Sequence, residues 1–225
     1  MQPDRLSVFN YAHLPEIFKP QRRINEADLP RPDEKLAILR NTIETLIDAG
    51  YVYIGMDHFA KPDDELALAQ DKGLLYRNFQ GYSTHADCDL IGLGVTSIGK
   101  VADCYAQNLK PMDEYTARID NDELAIFRGI TLSADDVLRR AVINQIICNF
   151  VLDFADIEQR FKIDFADYFA RELADLKPMQ ADGLLELDAR GIRVSSAGKL
   201  LIRNICMVFD IYLRGKTEQR FSKVI

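Results

Sequence analysis

Tryptophan is absent, histidine occurs three times, and no two of the four cysteines lie closer than sixteen positions. That spacing excludes the CxxC and CxxxCxxC arrangements that bind zinc or an iron–sulfur cluster from one local segment, so no metal ligands are expected. Long apolar runs are lacking as well. Charges interrupt each hydrophobic stretch well before the ~20 residues of a membrane span, and no membrane partner is expected. A basic excess is also missing: the net charge is −7, positive and negative residues cancel from Gly129 onward, and residues 1–128 carry the whole imbalance. Duplex-binding surfaces normally show the opposite sign, which argues against nucleic acid. Asp4 and Arg5 stand where a secretory leader would turn apolar, so the expected compartment is the cytoplasm.

What is present is the composition of a folded chain, 48% hydrophobic and 28% charged. "DRLSVFNY" (Asp4–Tyr11) predicts a short strand. "RPDEKLAILRNTIETLIDAGY" predicts an amphipathic helix, with Pro32 in its first turn, Asp33 and Glu34 at the positive end of its dipole and Gly50 at its stop. Leu36, Leu39, Ile43, Leu46 and Ile47 recur at three- and four-residue steps and mark one apolar face. "YVYIG" (Tyr51–Gly55) predicts a second strand, giving a βαβ unit with a parallel crossover. A short helix starting near Pro62 and ending at Gly73 follows. "LLYRNF" and "LIGLG" predict two strands, "TSIGKVADCYAQN" an irregular stretch, and "DEYTARIDND" a short helix.

The pattern changes near Arg128. Beyond it the sequence predicts helices over Ser133–Phe150, with Ser133 and Asp136 forming a capping box, then over Phe154–Phe161 and Phe165–Leu176. "LLELDARGIRVS" predicts a hairpin turning near Ala189-Arg190-Gly191, and Ser196–Arg214 a long closing helix. This is a winged-helix order. The fold class is α/β, with residues 1–127 as the second part of an incomplete parallel (β/α) barrel and 128–225 as a helical, winged-helix-like domain. A parallel sheet of two or three strands leaves edges and apolar faces uncovered. The chain therefore reads as a piece of a larger protein.

His13 and His58 each follow a predicted strand end, where barrel enzymes gather functional groups. His85, Cys88 and Asp89 share a polar loop but match no metal-site spacing. Cys148 and Cys206 sit in apolar helical patterns and read as buried small hydrophobes, whereas Cys88 is a polar-loop thiol. Asp63, Asp64 and Glu65 suit the start of a helix, Arg22 and Arg23 a solvated loop, and the glycines of "GLG" a close backbone approach. Together these residues support a pocket beside Ala12, His13, His58, Phe79, Gln80 and Ile98, without naming a reaction or a catalytic residue.

"RLSVFNYAHLP", "IGMDHFAKPDDELA", "NFQGY", "DLIGLGV", "DCYAQN" and "LLIRNICMVFD" closely resemble the carboxyl-terminal half of the bacterial oxygen-independent coproporphyrinogen III oxidases. The likeness runs across the chain to the closing "FSKVI". Related heme chaperones carry a tyrosine–tryptophan element near "NFQGY", so the absence of tryptophan favours the oxidases. The resemblance implies a radical S-adenosylmethionine enzyme, monomeric at full length, that decarboxylates two propionates of coproporphyrinogen III to vinyl groups. A reduced [4Fe-4S] cluster would cleave S-adenosylmethionine, and the resulting radical would abstract a hydrogen from the propionate β-carbon.

Two S-adenosylmethionine molecules are implied per site, with Ala12, Phe79, Gln80 and Ile98 contacting the second. The cluster-binding CxxxCxxC is absent from this sequence, so the missing amino-terminal half of the barrel becomes an expected partner and the chain alone is expected to lack turnover. The alternative is a tetrapyrrole-binding or winged-helix module without catalysis.

Overall fold

The computed structural model describes residues 2–86 and 88–214. Strand β1 (Arg5–Ser7) leads through two short 3-10 turns into helix α1 (Pro32–Asp48), which starts with Pro32, Asp33 and Glu34 in its first turn as the sequence predicts. Gly50 follows at φ 88°, a left-handed conformation that glycine adopts without strain. Strands β2 (Val52–Gly55) and β3 (His58–Ala60) come next. The expected direct parallel pairing of β1 with β2 is corrected here. β3 lies between them and is antiparallel to both, with Ser7 and Gly55 each opposite His58. The cause is a tight turn at Met56-Asp57, where Met56 is left-handed at φ 56°. It also moves His58 from beyond a strand end to the first residue of a strand.

Helix α2 (Glu65–Asp71) is capped by Asp64, whose carboxylate accepts from the Leu66 N–H at 2.8 Å. A hairpin of β4 (Tyr76–Asn78) and β5 (Gly81–Ser83) follows. "LIGLG" is not a strand: only Leu90 pairs, exchanging two 2.7 Å hydrogen bonds with Lys100. Conversely, the stretch expected to be irregular forms a hairpin of β6 (Ile98–Val101) and β7 (Cys104–Asn108). Ala102 supplies its left-handed turn residue at φ 49°, and the Ala102 N–H donates to Asp89 Oδ1 at 2.8 Å. After helix α3 (Met112–Asp120), strand β8 (Ile126–Thr131) completes the sheet in the order β6-β7-β8.

Only Leu132 and Ser133 separate β8 from helix α4 (Ala134–Asn149), whose Ser133–Asp136 capping box is present. Strand β9 (Val151–Asp153), helix α5 (Phe154–Phe161), helix α6 (Phe165–Tyr168), helix α7 (Ala170–Ala181), β10 (Leu185–Leu187) and β11 (Gly191–Val194) follow, with sheet order β10-β11-β9. The helix expected over Phe165–Leu176 breaks at Phe169 (φ −103°, ψ 25°), whose ring is buried against Phe165 and Phe209. The single closing helix is also corrected, to α8 (Ser196–Leu200), α9 (Ile202–Met207) and a 3-10 turn at Ile211–Leu213. At the break, the Leu201 N–H bonds the Gly198 carbonyl three residues back, tightening the end of α8.

The main core gathers Leu138, Val142 and Ile146 of α4 with Phe154, Phe165, Phe169, Leu176, Ile192, Ile205 and Phe209. Each such side chain contributes about 1.5–3 kcal/mol of burial. A smaller cluster holds Ile54, Ala60, Leu66 and Leu75 against Cys148 of α4. Gln70 joins the two, its amide donating to the carbonyls of Ile54 (2.6 Å) and Cys148 (2.7 Å). By contrast, α1 buries none of its residues. Leu36 and Ile47 of its apolar face are exposed, and Leu39, Ile43 and Leu46 are half-buried. Among the described residues no helix is long and apolar enough to cross a membrane.

Candidate functional site

The β4–β5 hairpin builds the centre of the site. Asn78 pairs with Gly81, leaving Phe79 and Gln80 as a two-residue loop. Asn78 Oδ1 accepts from the Gln80 N–H at 2.8 Å, a side-chain-to-backbone bond that asparagine makes readily in turns. Phe79 and Gln80 both keep negative φ, and the mismatch with strand twist falls on Gly81 at φ 128°. A residue with a Cβ would be strained there. The loop therefore presents an aromatic ring and an amide side by side, with Phe79 57% exposed and Gln80 also exposed.

The hairpin is fixed from behind. Asn144 of α4 accepts from the Arg77 N–H (3.0 Å) and donates to the Arg77 carbonyl (3.2 Å). Tyr82 donates to the Ile147 carbonyl at 3.4 Å, and burial raises its phenol pKa strongly. A Cβ on Gly55 would come within 2.6 Å of the Tyr82 hydroxyl, which explains glycine at that position.

Phe79 meets Tyr105 of β7 edge-on, with ring centroids 5.2 Å apart. Tyr105 pairs with Lys100 and Gln107 with Ile98, so these four side chains share one face of the β6–β7 ladder. Phe79 and half-buried Ile98 are thus brought to the same sheet face. Arg140 supports this face by donating to Tyr105 Oη (3.3 Å) and Asp103 Oδ1 (3.0 Å). Burial works to lower the Arg140 pKa, and these two partners outweigh it, so the shift is upward.

Ala12 stands apart. Its carbonyl accepts from Gln21 Nε2 at 3.0 Å, and among the described residues no hydrogen bond joins it to Phe79, Gln80 or Ile98. The link to the hairpin is indirect: Phe9 packs edge-on against His58 (6.1 Å), and His58 against Tyr82 (5.2 Å). His13 borders a cavity of about 240 Å³ with Phe9, Leu29 and Ile38. Tyr11 Oη lies 3.1 Å from its Nδ1 and Glu26 lies 3.6 Å from its Nε2. His85 has a backbone bond to Ser83, Cys88 is exposed, and Arg22 donates to the Pro15 carbonyl as an ordinary loop contact.

Among the described residues, no group of three or more His, Cys, Asp or Glu side chains is gathered as a metal site. Two contributors escaped the sequence reading, Tyr105 and Asn108. Asn108 Nδ2 donates to the carbonyls of Gly92 (3.1 Å) and Gly94 (3.0 Å) and pins the glycine-rich approach to Ile98. Both lie in "DCYAQN", and the missing cue was the hairpin that turns their side chains toward this region.

Known proteins resemble this sequence across its whole length. The chain is 59% identical to the oxygen-independent coproporphyrinogen III oxidase of Pseudomonas aeruginosa and 57% identical to that of Escherichia coli. Both alignments cover 100% of this chain and 49% and 50% of those proteins, respectively. A relative of the same name from Thermostichus vulcanus is 47% identical, with 100% of this chain and 70% of that protein covered. The chain belongs to the oxygen-independent coproporphyrinogen III oxidase family. Residues 132–201 match the HemN C-terminal domain. The solved structure of the Escherichia coli enzyme, described as a radical SAM enzyme, superposes with a TM-score of 0.91 at 57% identity. It covers 94% of this chain and 49% of that one. The chain thus spans about half the length of the first two relatives.

Proposed function

We propose that this chain forms the carboxyl-terminal part of an enzyme that converts two propionates of coproporphyrinogen III to vinyl groups, giving protoporphyrinogen IX. Each conversion removes one β-hydrogen atom, releases carbon dioxide and passes one electron to an acceptor. A [4Fe-4S] cluster held by other residues of such an enzyme, together with S-adenosylmethionine, would supply the hydrogen-abstracting radical. The residues here do not fit that cluster, since Cys148 and Cys206 are buried while Cys88 and Cys104 are exposed and distant in sequence. We therefore assign this chain no step at the cluster.

A second S-adenosylmethionine site fits better. In this reading Phe79 and Ile98 give it apolar walls, Gln80 gives it an amide, and Ala12 closes it from the β1 side. The observation that carries the reading is the exposed Phe79–Gln80 pair, held rigidly over Tyr105 by a hairpin bonded to α4. Calorimetric titration of the chain with S-adenosylmethionine tests it. Saturable one-site binding is expected, and no heat of binding at millimolar ligand would overturn it.

The proposed architecture is an incomplete parallel barrel followed by a winged-helix-like unit. The expected boundary at 127/128 moves to Leu132, because it would cut β8, which pairs with β7 up to Thr131. The barrel rests on the family resemblance, since β3 is antiparallel to both its neighbours, and the order α4, β9, α5, α6, α7, β10, β11 supports the winged-helix-like unit. The uncovered face of α1 suits contact with the missing amino-terminal barrel half. Limited proteolysis should cut within residues 8–50 first and leave the α4–α9 unit intact. Equal resistance of both parts would count against this division.

A further inference from the structure

We propose that His58 contacts the ligand of this same site, its Nε2 accepting a hydrogen bond from a cationic donor, the α-ammonium of an amino acid such as S-adenosylmethionine carries. The inference rests on the second-site reading above. Asp57 Oδ1 lies 2.8 Å from His58 Nδ1. A carboxylate can only accept, so Nδ1 carries the proton and, in the neutral imidazole, Nε2 holds the lone pair. Phe9 and Tyr82 flank the ring edge-on and fix its plane.

Nε2 is directed at the ligand loop. A Cβ placed on Gly81 would stand 3.7 Å from it, in van der Waals contact. Glycine there leaves the nitrogen uncovered beside Gln80. Among the described residues Nε2 has no hydrogen-bond partner, and the side chain is 20% exposed, so a ligand atom can reach it.

Charge selects the kind of ligand. With a neutral imidazole the Asp57–His58 pair carries one negative charge, which attracts a cation and repels a carboxylate. The Arg77 guanidinium lies 5.5 Å from the Tyr82 ring, and among the described residues it makes no hydrogen bond to His58. Tyr82 adds no charge, because burial keeps its phenol protonated.

The test compares S-adenosylmethionine with 5′-methylthioadenosine, which lacks the amino-acid end. His58→Phe keeps a flat ring between Phe9 and Tyr82 and removes the acceptor. Its affinity for S-adenosylmethionine should fall about tenfold, while its affinity for methylthioadenosine stays at the wild-type value. Histidine ¹⁵N spectra of the unmodified chain give a second readout that needs no variant. Nδ1 of His58 should be the protonated nitrogen, and saturating S-adenosylmethionine should shift the Nε2 resonance. Equal losses for both ligands, or an unshifted Nε2, overturn the proposal. If Gln80→Ala weakens binding and His58→Phe does not, the site stands and His58 is excluded from it. If wild type binds neither ligand, the site reading fails and this inference with it.

Discussion

The Phe79 ring stands at 87° to the Tyr105 ring with 5.2 Å between centroids, and the Tyr105 hydroxyl accepts from Arg140. Phe79 therefore has a fixed backing although more than half its surface faces solvent. An edge-to-face pair contributes about 0.5–1.5 kcal/mol beyond burial. Tyr105→Ala should let Phe79 swing and weaken S-adenosylmethionine binding roughly two- to tenfold, whereas Tyr105→Phe should bind like wild type. Calorimetry on the two variants distinguishes support of the ring from a role for the hydroxyl.

Gln80→Ala removes an amide from a loop and nothing from the core. Losing one hydrogen bond to a partly dry ligand costs on the order of 1–3 kcal/mol, roughly ten- to a hundredfold in affinity. The unfolding midpoint should stay at the wild-type value. Ile98→Ala should weaken binding less, through lost apolar contact. Unchanged affinity of the Gln80 variant would sink the pocket-wall reading of "NFQGY".

Glu172 is the one fully buried charged side chain among the described residues. It accepts from Arg139 at 2.6 Å and from Arg214, tying α7 to α4 and to the end of the described chain. Burial acts to raise its pKa, but the bonds from Arg139, its own backbone and Arg214 prevail, and the shift is downward. A carboxylate with a lowered folded-state pKa adds stability above its unfolded value of 4.5 and loses it as pH falls through the folded value. Glu172→Gln should cost about 1.5–3 kcal/mol at pH 7. Its urea midpoint should also change less than that of wild type between pH 5 and pH 3. Parallel pH curves for the two proteins would refute the assignment.

The cysteines divide by environment. Burial pushes the Cys148 thiol up to about 12 and raises Cys206 as well, so neither supplies thiolate near neutrality. Cys88 and Cys104 are exposed. Ellman's reagent at pH 8 should therefore label two thiols promptly, and the other two only in denaturant. Four fast thiols in the folded chain would contradict this core.

Helices were legible wherever a start signal and a 3.6-residue period coincided. Pro32–Asp48 and the Ser133 capping box are examples, because local energetics alone specify them. The breaks at Phe169 and Leu201 were hidden, since core packing imposes them on segments of helical composition. Hairpins were missed where Ala102 and Met56, rather than glycine, take the left-handed turn position. Ala12, Phe79, Gln80 and Ile98 enter the proposed site through family resemblance alone. The Asp57–His58 contact needed the unexpected β3, and Tyr105 needed the β6–β7 register.

The two-residue junction of Leu132 and Ser133 has a mechanical consequence. β8 runs almost directly into α4, and α4 is itself bonded to Tyr105, Asp103 and the Arg77 backbone. Two residues leave little slack between them. Torque applied to the carboxyl-terminal helices is transmitted to the sheet that carries Ile98 and to the loop that carries Phe79 and Gln80. Of Ala12, Phe79, Gln80 and Ile98, Ala12 alone lies outside this lever, in a segment joined to it at Phe9 and His58.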